Sequence, residues 1–572
     1  MLESPADFLT VADEALALQR LYYWEKAAPG RVVVTQPVGA GQVRDYTWAQ
    51  LIDESRRMAA HLRRLGFAPG ARIAILSKNT AHWLMSDFAI WLAGLVSVPL
   101  YPTLSSATVR QILEHSESSL LFVGKLDGWE QMKSGVPAGL PCIVHPLSPD
   151  DAKKSYPGWD EIIAQTAPLQ GEPVRSRDDL STIVYTSGTT GTPKGVMHSF
   201  ATLAWAARTG LRRMPIGGDT RILSHLPLSH VVERVLVEHG LLATGMHVYF
   251  TKSLETFLAD MQYARPTVFI TVPRLWLKFQ QGILARMPAR ALDMLLKIPV
   301  LRGVLRGKLL TTLGLDDCRY AGGGAAPMPP DLLRWYAKLG LNIVEGYGMT
   351  ENCAVSHITL PDKPRPGTVG PPYDGVQCRI DHENGEILMK SPAVMLGYYR
   401  DSELTRKAFT DDGWLRTGDR GSLDAEGNLT ITGRLKDLFK TSKGKYVAPG
   451  PIEDKLAMHT SIDACCVTGA NLPQPLALVV LTAEGGKQAS DRAGRGHLER
   501  SLAELLGHVN ATLDPHERMD CLVVMNEAWT IDNDLMTPTF KVKRNRIEER
   551  YARNFEHWTG LRKPVLWVSD FA

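Results

Sequence analysis

The chain has 572 residues, 44% hydrophobic and 22% charged, a globular balance too long for one hydrophobic core, so two or more domains are expected. A formal net charge of +3 gives no reason to invoke nucleic acid. Seven cysteines without a C-x-x-C pair make no disulfide or zinc framework and are expected as small buried hydrophobes in a reducing cytosol.

In chain order, Met1-Leu-Glu-Ser-Pro-Ala-Asp-Phe8 carries acids where a secretory leader would carry basic residues, so a cytoplasmic location is expected. Arg31–Gln36 reads as a strand. Thr47 is placed to cap a helix from Trp48 to Leu65 that stops at Gly66. Arg72–Leu76 is a strand. Phe88–Leu100 is the most apolar segment, shorter than the roughly 20 residues that span a bilayer. It is read as a buried helix leading into a buried strand. A helix over Thr108–Ser116 and a strand over Leu120–Val123 follow. Strands alternating with helices predict a parallel sheet covered on both faces. Residues 126–180, rich in Pro, Ser, Asp and Lys, read as surface connection.

Ser181-Thr-Ile-Val-Tyr185 is a β-branched strand. It breaks into Thr186-Ser-Gly-Thr-Thr-Gly-Thr-Pro-Lys194-Gly-Val-Met-His198. Glycines let backbone N–H groups approach an anion, hydroxyls add donors, and Lys194 adds a point charge. The loop is not a Walker A motif, because Lys194 lies between Pro193 and Gly195. The string resembles the phosphate-loop signature of AMP-forming, adenylate-forming enzymes, the superfamily of acyl-CoA synthetases, peptide-synthetase adenylation domains and luciferases. The resemblance implies that Thr186, Ser187, Gly188, Thr189, Thr190, Gly191 and Lys194 hold ATP phosphates.

Phe200–Arg213 is a helix. Arg221-Ile-Leu-Ser-His-Leu-Pro-Leu-Ser-His-Val-Val-Glu-Arg234 is a strand into Pro227 with a helix starting near Ser229. His230 at that start is either a capping or packing residue or, as the family motif implies, a wall of the carboxylate pocket. Met246–Phe250 and Thr267–Arg274 are further strands. Residues 290–313 set Lys297, Arg302, Arg306 and Lys308 among Leu, Ile and Val. That pattern suits a solvated helix face or peripheral contact with a membrane surface, and Pro299 and Gly303 argue against one continuous helix. Arg319–Pro330 is strand, glycine turn and the start of a helix over Asp331–Leu339, without a dinucleotide fingerprint. In the family the matching stretch borders adenine and the acyl pocket, which implies Gly323, Gly324 and Ala325.

Leu341–Glu351 is a strand delivering Tyr347, Gly348, Thr350 and Glu351 into a turn. Tyr347 offers a face for adenine, Thr350 a hydroxyl for the α-phosphate, and Glu351 a hard oxygen ligand for Mg²⁺. From Gly367 the pattern turns to short strands, including Gly385–Pro392 and a hairpin about Gly427. Val394–Arg400 resembles the family's Gly-Tyr segment. Asp419 can accept both ribose hydroxyls and Arg434 can add a donor; both match family positions for ribose. After Arg434 the chain turns charged and glycine-containing, like a linker. The family's hinge falls here at Lys436. A helix from Pro451, strands at Cys465–Gly469 and Leu476–Thr482, and a helix over Glu499–Leu513 follow. Glu484–His497 reads as an exposed excursion. Asn533-Asp-Leu-Met-Thr-Pro-Thr-Phe-Lys541-Val-Lys543-Arg544 resembles the fatty acyl-CoA synthetase form of the last motif. It aligns Lys541 with the adenylation lysine, and Lys543 is the other lysine there.

The resemblance implies an α/β fold. Residues 1–433 would be a large domain of doubly covered sheets with a small β-barrel-like subdomain, 434–440 a hinge, and 441–572 a small mobile α+β lid. It further implies ATP, Mg²⁺ and coenzyme A, with a fatty acid activated to acyl-AMP and passed to the CoA thiol. The alternative is a fatty acyl-AMP ligase that loads a carrier protein. An oxygenase acting on the adenylate and a catalytically dead nucleotide-binding protein are more distant alternatives. Homodimer formation and attachment at the inner face of a membrane are left open.

Overall fold

The computed structural model describes residues 8–187, 193–537 and 541–571. Two large sheets make the body of the first part. One has seven strands in the order Gly397–Tyr398, Pro193–Ser199, Leu180–Ser187, Val96–Leu100, Arg72–Leu76, Ser118–Val123 and Cys142–Val144. The five ending at Cys142–Val144 run parallel, and Pro193–Ser199 is antiparallel to Leu180–Ser187. The other has eight, ordered His357–Ile358, Ile343–Tyr347, Tyr320–Gly324, Val268–Thr271, Arg221–Ser224, His247–Phe250, Val32–Gly39 and Gln42–Thr47.

The helix Ala81–Leu92 is buried at every position and shares one cluster with residues of both sheets, among them Ile73, Ile75, Val33 and Val248. A helix buried all round belongs between two layers, where no face meets water, and its one charge, Asp87, is met by Arg234. The strand Val96–Leu100 that follows is also wholly buried. The helix Trp48–Arg64 starts on a capping box, with Thr47 and Gln50 satisfying each other's backbone donors.

Residues 126–180 are more than surface connection. Cys142–Val144 completes the seven-stranded sheet, and Trp159, in the helix Trp159–Ala164, is buried. The polar composition masked a three-residue strand and two anchoring tryptophans, Trp129 and Trp159. Residues 290–313 form two helices, Ala289–Lys297 and Pro299–Leu313. The break falls where proline disfavours a helical residue before it.

A four-stranded antiparallel sheet, Gln377–Ile380, Glu386–Lys390, Leu415–Leu423 and Leu429–Arg434, forms the smaller subdomain. Beyond it a second four-stranded sheet comprises Ile462–Thr468, Leu476–Leu481, Leu522–Val524 and Val565–Trp567. Its middle strand alternates: Ala477 and Val479 face the helix Arg492–Asn510, while Leu476, Leu478 and Val480 face Arg544–Gly560. The stretch 484–497 is helical rather than an excursion, occupied by Ala483–Gln488 and the first turns of Arg492–Asn510. Asp491 caps the latter by accepting from Ala493 and Gly494 N–H. Among the described residues, no buried cluster mixes positions before Arg434 with positions after it, and no helix is long and apolar enough to cross a membrane.

Candidate active site

The strands that flank the phosphate-loop string pair antiparallel. Thr186 pairs with Lys194 and Ser187 with Pro193. Gly188, Thr189, Thr190 and Gly191 lie outside the described residues. Strand Gly397–Tyr398 pairs along the outer side of Pro193–Ser199, which brings the Gly-Tyr segment against Lys194. The Lys194 ammonium lies 5.8 Å from the centre of the Tyr398 ring. Tyr398 in turn donates its hydroxyl to Glu351 Oε1 at 2.7 Å. Burial and then Lys436 lower the Lys194 pKa, while Glu351 and Asp401 oppose them.

Gly348 is where the turn before Glu351 requires glycine, since a Cβ there would lie 2.3 Å from the Ala354 carbonyl carbon. The turn is held from beneath by His198. Its Nε2 donates to the Thr350 carbonyl at 2.8 Å, and its Nδ1 lies 3.3 Å from the Cys353 thiol. Burial pushes the His198 pKa down to about 4, so the ring is neutral near pH 7. Thr350 and Glu351 are both buried.

Tyr347 donates to Asp419 Oδ2 at 2.7 Å, and Arg434 Nε lies 3.0 Å from Asp419 Oδ1. The three sit together because Asp419 and Arg434 are facing partners in adjacent strands. Each carboxylate oxygen keeps a second lone pair, enough to accept from a vicinal diol. Gly323 and Gly324 end the strand beside Gly346, and Ala325 follows with a left-handed backbone, φ 65°. A Cβ on Gly324 would lie 2.9 Å from the Gly346 oxygen.

His230 caps the Val231–Glu233 turn, with Nδ1 accepting from Val232 N–H at 3.2 Å. The proton is therefore on Nε2. Burial and then the positive charge of Lys541 bring its pKa down to about 4. Lys541 comes from the second part of the chain. Its backbone is pinned to Thr537, with N donating to Oγ1 at 3.0 Å and O accepting at 2.8 Å. Its side chain keeps solvent access in a crowded cleft. Its pKa is lowered by burial and by Arg434, and Asp419 opposes both. Lys543 points elsewhere and pairs with Asp534. Lys436 lies in the short turn Leu435–Asp437. Arg274 and Asp463 form an ion pair between the two parts.

Lys194, Glu351, Tyr347, Asp419, Arg434, His230 and Lys541 thus form one chain of neighbours. Tyr398, His198 and Glu345 also stand at the site, each through a hydrogen bond. Glu345 is buried, accepts from Met328 N–H at 3.0 Å, and is pushed up to about 7 by burial. All three lie inside the motif strings, Tyr398 in Val394–Arg400, His198 at the end of the phosphate-loop string and Glu345 in Leu341–Glu351, and that position is the signal they carry. Among the described residues there is no cluster of three or more acidic, His or Cys side chains suited to a metal, so Glu351 stands as a single carboxylate.

The profile of the family described as AMP-binding enzyme matches residues 22–399, and that of the AMP-binding enzyme C-terminal domain matches 436–558. The long-chain-fatty-acid–CoA ligase FadD15 of Mycobacterium bovis is 31% identical, over 96% of this chain and 98% of its own length. Long chain acyl-CoA synthetase 5 of Arabidopsis thaliana is 26% identical, over 93% and 90%. Among solved structures, the adenylation domain of a carboxylate reductase from Mycobacterium chelonae superposes with TM-score 0.80 at 22% identity, covering 98% and 95%. The corresponding domain from Segniliparus rugosus, solved with AMP and a carboxylic acid, gives 0.78 at 22% identity, covering 97% of each chain.

Proposed function

The chain belongs to the AMP-binding enzyme family, and from that membership we propose that it is an AMP-forming fatty acid–CoA ligase. It joins a fatty acid to ATP as acyl-AMP, releases pyrophosphate, and then passes the acyl group to coenzyme A. The observation that carries this reading is the proximity of Lys194, Glu351, Asp419 and Lys541, brought together from four distant stretches. The names of the relatives, long-chain-fatty-acid–CoA ligase and long chain acyl-CoA synthetase, support the acid and the thiol.

The first half-reaction asks little covalent chemistry of the protein. A carboxylate must reach the α-phosphorus in line while charge on the phosphates is neutralised. Lys194 and the loop hydroxyls hold the outer phosphates. Asp419, fixed by Tyr347 and Arg434, takes the ribose. Lys541 bridges the carboxylate and the α-phosphate, two anions that otherwise repel. Neutral His230 lines the carboxylate side, so its Nε2–H can donate without adding a second charge.

Glu351 would hold Mg²⁺. A single buried carboxylate with a fixed orientation fits an ion that takes one or two carboxylates and fills its remaining positions with phosphate oxygens and water. When bound, the ion supplies charge neutralisation on the phosphates. Tyr398 orients the Glu351 carboxylate, and such outer partners are worth about 10–100-fold in metal affinity or activity. Tyr398→Phe is expected to raise the Mg²⁺ concentration for half-maximal pyrophosphate release by about tenfold. A Mg²⁺ titration of the variant checks this, and an unchanged midpoint would show that other contacts set the carboxylate.

The second half-reaction needs Lys541 out of the way of the thiol. We assign residues 1–433 to the nucleotide and acyl domain, 434–440 to the hinge with Lys436 at its pivot, and 441–572 to the lid. The separate buried clusters on either side of Arg434 support that division. A panel of carboxylic acids scored by pyrophosphate release, with and without CoA, tests the function. Long-chain acids should be consumed and acyl-CoA should appear. Acyl-AMP that accumulates with CoA and turns over only with a holo-carrier protein would establish the acyl-AMP ligase instead.

A further inference from the structure

The helices Ala289–Lys297 and Pro299–Leu313 meet in an elbow whose inner and outer faces differ. Inward, Leu292, Leu296 and Leu313 are buried and pack in one cluster with Trp276 and Tyr336. Outward, Met294, Ile298, Val300, Leu301 and Val304 are exposed by 62%, 44%, 78%, 42% and 69%. Single exposed apolar residues are ordinary, but five on one elbow form a patch that water disfavours.

Within 286–308 the charge is one-sided. Arg286, Arg290, Lys297, Arg302, Arg306 and Lys308 stand against Asp293 alone, and Asp293 is engaged by Lys338 at 2.8 Å. Arg306 donates to the Lys338 carbonyl at 2.8 Å. Among the described residues, Arg286, Arg290, Lys297, Arg302 and Lys308 form no ion pair with an acid.

We infer that this elbow docks on an anionic lipid surface, with Val300 and Val304 entering the headgroup boundary and the basic rim lying on the phosphates. Apolar residues ringed by unpaired Lys and Arg are what an interfacial helix needs. A run of basic residues without acids of its own complements the phosphate plane of an anionic bilayer, and a protein partner, a second copy included, is an outcome the test separates. The packed inner face holds the elbow in shape, so docking requires no refolding. The inference rests on the ligase reading only for its purpose: a fatty acid partitions into the bilayer, and a docked enzyme meets it there.

The test is vesicle flotation of the full chain without any substrate, using phosphatidylcholine with and without phosphatidylglycerol. The wild type should float only with the anionic vesicles and be released by salt. Val300→Ser/Val304→Ser and Lys297→Gln/Arg302→Gln should each cut the bound fraction about tenfold. Both pairs should keep the wild-type melting temperature and wild-type pyrophosphate release with a short, soluble acid. Flotation unaffected by either pair would overturn the inference. So would a wild type that ignores anionic vesicles, or one that self-associates in sedimentation and loses that property in the valine pair. Because binding is read without catalysis, a chain that docks yet activates no acid would sink the ligase reading and leave the elbow's role standing.

Discussion

Lys541→Ala is expected to slow acyl-AMP formation at least about 100-fold, the scale of removing one preorganised charge partner from a reacting anion. Transfer of acyl from supplied acyl-AMP to CoA should stay within about threefold of wild type, since that step is read as one from which the lysine has withdrawn. The asymmetry follows from position. Lys541 faces Asp419, Arg434 and His230, and its backbone is tied to Thr537, in the same small domain. Lys543→Ala is the matched control: its ammonium is held by Asp534, and it should leave both half-reactions close to wild type. Rapid-quench measurement of acyl-AMP and a separate thioester assay decide the matter. Equal loss in both half-reactions would mean that Lys541 holds the cleft together and is not the bridging cation.

Arg234→Met should destabilise the large domain by about 3–5 kcal/mol, the cost of breaking a buried pair from one side. Arg234 is fully buried at the start of a π-helical stretch, Arg234–His239. It meets Asp87, Glu238 Oε2 at 3.1 Å, Thr182 Oγ1 at 2.8 Å and Ser97 Oγ at 3.2 Å. One arginine cannot neutralise two carboxylates. Burial raises the pKa of both acids, and Glu238 more strongly, with Asp87 adding to the effect. A proton retained on Glu238 and shared with Asp87 balances the group. Without the guanidinium, Asp87 must ionise unpaired or take up a second proton. Thr182 lies in the strand that leads into the phosphate loop, so the damage should reach ATP binding too. Thermal melting of Arg234→Met should show a marked fall, and adding Asp87→Asn should recover part of it by removing the stranded charge. A single variant that melts like wild type would show that water reaches the group.

Much of the fold was legible because it follows short-range rules. The helix Phe200–Arg213 was read at its observed bounds, and the Thr47 cap needs only a side chain and a backbone donor three residues on. What escaped was set by distant partners. Cys142–Val144 is a strand because Leu121 and Val123 present an edge to it, and nothing within three residues announces that. The site divides the same way. The loop lysine, Glu351, Asp419 and Lys541 lie in strings that the family resemblance singles out, and the structure sets them near one another. Tyr398 matters through a hydroxyl aimed at Glu351, and His198 through one carbonyl. Both depend on strand pairing that residue types do not encode.

The eight-stranded sheet also bears on how the chain is made. Val34 lies beside Val248 in parallel, so the amino-terminal hairpin must wait for roughly 200 further residues before its neighbour leaves the ribosome. At typical synthesis rates that interval is about 10–40 s. Until then the helix Ala81–Leu92, buried on every side in the folded chain, lacks part of the two layers that cover it. The nascent chain therefore carries this segment only partly covered for about a third of translation, a window in which a holdase would have something to shield.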